Sequence, residues 1–262
     1  MGSISRRNLL NRTSSLAAAL VAGASGLLAD EPLPSALNAP ARRLKLMVAG
    51  GHPGDPEYGC GGTVARYTDL GHEAVLLYLN DGEPDNPGKP PKGPKGFRIA
   101  EARRACDILK ARPLFAGQID GAAVVDKAHY EAFRKIVEDE QPDVLLTQWP
   151  VDNHPDHRAT SILSYDAWLR MGKKFAFYYY EVSNGEDTLM FSPTEYVDIS
   201  GVEARKRAAC YAHASQTPDK FYDLQSRVAL FRGLESGHQQ AEAYIRHPQS
   251  PHDLLPATLK AS

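Results

Sequence analysis

The fold class this sequence predicts is α/β: one doubly wound domain with a mostly parallel sheet. Three observations predict it. Short apolar runs alternate with helix-length segments, glycine and proline punctuate the alternation, and neither an internal repeat nor a second core breaks it. Residues 46–49 form an apolar run stopped by Gly50 and Gly51, which reads as a buried first strand. Residues 61–70 read as a helix, with Gly71 where a C-terminal stop belongs. Residues 74–79 make a second buried strand. Residues 80–96 hold five Pro and four Gly in 17 positions, a long loop of the kind that usually serves function. A helix over 97–110, a short strand over 113–116 and a helix over 126–140 come next, the last with Asp126 as N-cap. Residues 143–147 are a further buried strand, and a loop over 149–156 feeds a helix from about His157 to Arg170. Strands over 175–182 and 196–199 follow, and helices from Val202 and Phe221 finish the chain.

Composition narrows the function classes. The 262 residues carry 30 basic and 32 acidic side chains, a net charge of −2. A polyanion binder needs a basic surface, so nucleic acid is excluded as a partner. With 24% charged and 8% aromatic residues the composition is that of a globular protein. The first 40 residues stand apart. Arg6 and Arg7 precede an uncharged run over 16–29, a pattern similar to a twin-arginine export signal, with Leu9 and Asn11 where that pattern more often has Phe and Lys. The run is shorter than the ~20 residues a spanning helix needs. The expectation is a signal segment over 1–40, cleaved after Ala29, Ala39 or Ala41, and a working domain over 41–262. A periplasmic or secreted location with no stable membrane span after processing follows from it. Cys60, Cys106 and Cys210 are an odd count without metal spacing, and read as buried free thiols.

Two segments carry the chemistry. Residues 51–62 follow the first strand, and residues 152–157 (Asp-Asn-His-Pro-Asp-His) follow the fourth. In a Rossmann-like sheet of order 3-2-1-4-5 both would line the crevice where strand order reverses. His52 and Asp55, as H-x-x-D, joined by His157 would supply the two imidazoles and one carboxylate of a catalytic zinc (Zn2+) site. Such an ion acidifies water and polarises a carbonyl. His154 remains as a second imidazole to stabilise an oxyanion or protonate a leaving amine, with Asp152 or Asp156 to orient it. Trp149 is a candidate for stacking on a ligand ring, a sugar under the resemblance given below. The lysines at 89, 92 and 95 read as a solvated loop or, under that resemblance, as a lid over a glycan. The run over 175–180 reads as buried strand, and the Gly59–Gly62 stretch lacks the spacing of a phosphate loop.

These segments resemble the two signature motifs of the PIG-L/LmbE-like zinc-dependent N-deacetylases, usually A-H-P-D-D-E with a downstream G-x-G-G, and H-P-D-H. Further likenesses are Asn80–Glu83, the R-x-x-E of Arg98 and Glu101, Asp120–Gly121, His213–Gln216 and Ala241–Tyr244. The resemblance implies an enzyme, a metal-dependent amide hydrolase acting on an N-acetylated amino sugar or glycoconjugate. It implies His52, Asp55 and His157 as ligands, His154 on the oxyanion side, and Arg98 and Asp120 on the substrate side. One position departs: the family's general-base aspartate is Gly54 here. Three readings stay open. Glu57, Asp81 or Asp156 serves as base; or His154, alone or with a group on the substrate, suffices; or the protein is a catalytically silent zinc-containing glycan binder.

Overall fold

The computed structural model describes residues 42–83, 96–182, 186–251 and 253–256. All of them fall in the unit Asn38–Ser262. The expected export signal and the lysines at 89, 92 and 95 lie outside the described residues. No helix of the described residues is long and apolar enough to cross a membrane.

The apolar runs form strands β1 (Lys45–Gly50), β2 (Glu73–Asn80), β3 (Arg112–Gln118), β4 (Val144–Gln148) and β5 (Ala176–Tyr180), all mutually parallel where they pair. Two more, β6 (Glu195–Asp198) and β7 (Ala241–Arg246), add antiparallel pairs at one edge. The order is β3-β2-β1-β4-β5-β7-β6. The helices are α1 (Asp55–Asp69), α2 (Phe97–Leu109), α3 (Lys127–Glu140), α4 (Pro155–Arg170), α5 (Glu186–Met190), α6 (Glu203–Tyr211) and α7 (Pro218–Ser236). Period-two alternation in the strands divides the core. Leu46, Val48, Leu76 and Leu146 face α1, α2, α6 and α7, whereas Met47, Val75, Leu77 and Leu145 face α3 and α4. Helices therefore cover both faces, as a doubly wound sheet requires.

The chain leaves β1 towards β2 and β3, then returns to place β4 on the other side of β1. The reversal falls between β1 and β4, so a crevice opens beyond their carboxyl ends.

The structure differs from the sequence reading at several bounds, and α5 has no counterpart there; two helix starts and one strand bear on the site. Helix α1 starts at Asp55, six residues before the expected Gly61, because Pro56 sits in its first turn, where a missing N–H costs nothing. Gly54 caps it with φ of 111°, and the Glu57 carboxylate accepts the Gly54 N–H at 3.1 Å. Helix α4 starts at Pro155 with His154 as its N-cap. Strand β7 has no counterpart in the sequence reading; it exists because it pairs on both sides, with β5 and β6. The Asp126 cap of α3 is present, its carboxylate accepting the His129 N–H at 3.0 Å. All three cysteines are free and buried.

Glycines let α1 approach the sheet. A Cβ on Gly59 would stand 2.4 Å from the Tyr180 ring, and one on Gly62 would stand 2.4 Å from Ile199. In the middle of the helix, Glu242 of β7 accepts the Gly62 and Thr63 N–H groups and the Thr63 hydroxyl, and pairs with buried Lys206 at 2.7 Å.

Candidate metal centre

Strand ends and helix starts deliver the site. Gly51 and His52 leave β1, Asp55 opens α1, and Asp152–His157 links β4 to α4. His52 Nδ1, Asp55 Oδ2 and His157 Nε2 meet in a triangle with sides of 3.1, 3.0 and 3.3 Å. Zinc bonds of about 2.0–2.1 Å at tetrahedral angles need donors about 3.3 Å apart, so the three groups fit a common cation.

The far nitrogen of each imidazole is anchored to a carboxylate. His157 Nδ1 lies 2.8 Å from Asp152 Oδ2, and His52 Nε2 lies 3.0 Å from Asp156 Oδ2 and 3.1 Å from Asp120 Oδ1. A carboxylate accepts, so each far nitrogen donates its proton outward and turns a lone pair to the centre. The field there favours positive charge. Burial opposes ionisation of His157, but Asp55 and Asp152 outweigh it and raise its pKa to about 9. Burial likewise opposes a charged His52, yet Asp55, Asp120 and Asp156 lift it well above its ordinary value. Burial would raise Asp55, and the two imidazoles override it and hold the carboxyl well below the usual range. Asp156 is pulled down to about 2 against its burial, by His52 and by the Gly121 and Ala123 N–H groups.

His154 stands beside this triangle. Its ring centroid is 4.6 Å from that of His52 and 4.8 Å from that of His157. Its Nδ1 accepts the Asp156 N–H at 3.2 Å, which places the proton of the neutral ring on Nε2. Burial, then the neighbouring His52 and His157, lowers its pKa, so it is neutral at pH 7. Asp156 orients the His154 ring, as expected, but through its backbone N–H; the carboxylates of Asp152 and Asp156 do not reach the ring. They instead hold His157 and His52, and Asp152 touches His154 only at its backbone N–H, at 2.7 Å.

The three expected substrate-side residues divide. Asp120 is at the site, against His52. Arg98 is buried and donates to the backbone carbonyls of Pro53, at 2.6 Å, and Gly82, at 3.4 Å, bracing the turn that carries His52. Trp149 packs edge-on against Tyr179 and Phe191. Tyr178 and Tyr180 are strand core, with the Tyr180 hydroxyl donating to the Ala49 carbonyl.

Glu57, a candidate for the missing base, is fully buried and committed. Besides the Gly54 N–H it accepts the Tyr78 hydroxyl at 2.7 Å and lies 2.9 Å from His213 Nε2. Asp81 turns back on its own loop to accept the Glu83 N–H. Glu101 binds the Ser215 N–H and hydroxyl, which joins the R-x-x-E and His213–Gln216 landmarks. Two buried amides reach the site: Asn80 Nδ2 donates to Asp156 Oδ2, and Gln148 Nε2 donates to Asp55 Oδ2, each at 3.1 Å. Asn80 opens the Asn80–Glu83 likeness, but Gln148 escaped the sequence reading: a lone amide at a strand end belongs to no motif, and only the strand register reveals it.

Residues 47–168 match the family model described as GlcNAc-PI de-N-acetylase (PIG-L). A diacetylchitobiose deacetylase of Thermococcus kodakarensis is 27% identical over 219 residues, 73% of this chain and 78% of that protein. Among solved structures, the conserved protein TT1542 of Thermus thermophilus superposes with a TM-score of 0.68 at 26% identity, over 80% of this chain and 97% of that one. GalB of Pseudomonas putida KT2440, a 4-carboxy-2-hydroxymuconate hydratase, gives 0.69 at 22% identity, over 80% and 99%. Residues 47–168 carry the match to the PIG-L family model, and the sheet order and the paired His/Asp segments agree with it.

Proposed function

We propose that this protein is an exported, zinc-dependent hydrolase that removes the acetyl group from an N-acetylated amino sugar or glycoconjugate. The observation that carries the reading is the donor triangle of His52, Asp55 and His157 with a neutral imidazole, His154, alongside. The T. kodakarensis relative, named for deacetylating diacetylchitobiose, supports the substrate class. The likeness to a hydratase shows that the fold alone does not choose the reaction, so the donor set has to.

In this reading His52, Asp55 and His157 hold the ion. When bound, it supplies Lewis acidity to an amide carbonyl and to water. The chain supplies the proton traffic. With Nδ1 accepting the Asp156 N–H, the neutral His154 ring carries its proton on Nε2, placed to donate to the oxyanion or to the departing nitrogen. Glu57, Asp152 and Asp156 are held by their partners, so His154 is the proton donor left beside the triangle, with Gly54 where the family has its aspartate. Asp120, with an edge open to solvent, faces the substrate side.

The second reading, a silent zinc-containing glycan binder, is favoured by the same Gly54 and by the commitment of Glu57. One experiment separates the two: acetate release from a panel of N-acetyl sugars by the metal-loaded protein, with His154→Ala and Gly54→Asp beside it. Wild type is expected to release acetate and His154→Ala to lose about 10²–10⁴-fold in kcat. Silence in wild type with activity gained in Gly54→Asp sinks the enzyme reading. Export is tested by fractionating cells that express the full chain, with and without Arg6→Lys and Arg7→Lys.

A further inference from the structure

We propose that Gln148 is a positioning residue for the metal centre: its side-chain amide fixes the ligand Asp55 in its metal-accepting orientation. The inference rests on the metal-site reading above and goes beyond the ligand set.

Gln148 is the last residue of β4 and is fully buried. Its Oε1 accepts the Gly51 N–H at 2.8 Å. A backbone N–H only donates, so that bond settles which end of the amide is oxygen and directs Nε2 at Asp55 Oδ2, 3.1 Å away. The same Asp55 oxygen accepts the His52 N–H at 2.8 Å. Two uncharged donors, one from the end of β4 and one from the turn after β1, therefore hold the one carboxylate oxygen that faces both imidazoles.

The residue type follows from the two bonds. An apolar side chain here would leave the buried Gly51 N–H and the Asp55 oxygen each short of a partner. A lysine or arginine would place a fixed positive charge where the cation belongs. A carboxylate would accept from Gly51 but repel Asp55. Of the neutral polar side chains with this reach, glutamine offers an acceptor and a donor together. Register puts it there: β4 pairs with β1 as Thr147↔Ala49, so Gln148 comes level with the point where the chain turns out of β1 towards His52. The amide thus couples the two halves of the site and keeps Asp55 aimed at the centre before an ion arrives.

The test uses the full-length protein freed of metal and titrated with Zn2+ against a chromophoric chelator, then loaded with Co2+ for visible absorption. Gln148→Met is expected to weaken Zn2+ binding about 10–100-fold, the range for residues that orient a ligand, and to change the Co2+ bands. Thr147→Val, on the same strand as Gln148, removes a buried hydrogen bond to Ser164 of α4; it serves as control and should change neither. Gln148→Glu keeps an acceptor for Gly51 and guards against a misfolded Met variant; its Co2+ spectrum should also differ from wild type. Unchanged zinc affinity and cobalt bands in both Gln148 variants, with only the melting temperature lowered, would overturn the proposal while the metal site stands. Failure of wild type to take up either ion would overturn the metal reading, and this inference with it.

Discussion

Helix α1 holds two buried charge clusters about two turns apart, and they are built to opposite ends. In its middle, Glu242 meets only donors. One oxygen takes Lys206 and the Gly62 N–H, and the other takes the Thr63 N–H and hydroxyl. At its first turn, Asp55 faces two imidazoles whose far nitrogens already give their protons away, so lone pairs crowd the centre. The first cluster is closed, and its charges cancel among themselves. The second is complete only with a positive charge that the side chains do not contain, and in its absence protons on His52 and His157 fill the place. Buried charge alone does not mark a functional site. Convergence of acceptors does.

Three experiments can break that comparison. The largest effect is expected from the double variant His52→Ala, His157→Ala, which removes two corners of the triangle. Metal content, measured by mass spectrometry after dialysis, should fall from stoichiometric to trace while the fold is retained. Undiminished metal would refute the ligand assignment.

Next comes Lys206→Met. It strands the Glu242 carboxylate in the core, and breaking a buried pair from one side costs about 3–5 kcal/mol. Chemical denaturation should show that loss, and the folded variant should bind metal as wild type does. A drop in metal affinity as well would mean that the two clusters are one.

The smallest effect is on pH. His157, with its pKa raised to about 9, is protonated at pH 7 in the metal-free protein, so an arriving ion must displace that proton. Metal affinity should rise about tenfold per pH unit for each proton displaced, up to about pH 9. The metal-free protein should respond in the opposite sense. A raised pKa contributes stability that is full below the ordinary 6.5 and lost as pH rises through about 9. Melting curves and chelator competition at matched pH values test both signs, and two flat profiles would mean that His157 is already neutral.

Most of the frame was legible because burial on both faces writes strands as unbroken apolar runs, as in residues 74–79 and 144–146. Strand β7 was not, since its sequence alternates and its place depends on antiparallel partners that residue spacing does not specify. The segments bearing His52, Asp55, His154 and His157 were legible as motifs and do meet. The partners of each carboxylate were not: which acid holds which imidazole depends on side-chain direction at the crevice. The Asp156 carboxylate reaching across to His52, while its backbone N–H meets His154, is the clearest case. Nor does spacing show that Glu57 is already bound by Tyr78 and His213, because both arrive from distant parts of the chain.

The close contact of Gly59 with Tyr180 also sets a tolerance. The helix backbone rests directly on the buried Tyr180 ring, so its height over the sheet is fixed by hard contact. An alanine at this position would lift α1 by something on the order of an ångström, because close-packed interiors transmit strain. Asp55 lies about one turn further along the same rigid rod and would rise with it. A methyl group with no chemistry of its own would thereby act as a shim, opening the gap between a ligand and its two partners from a distance.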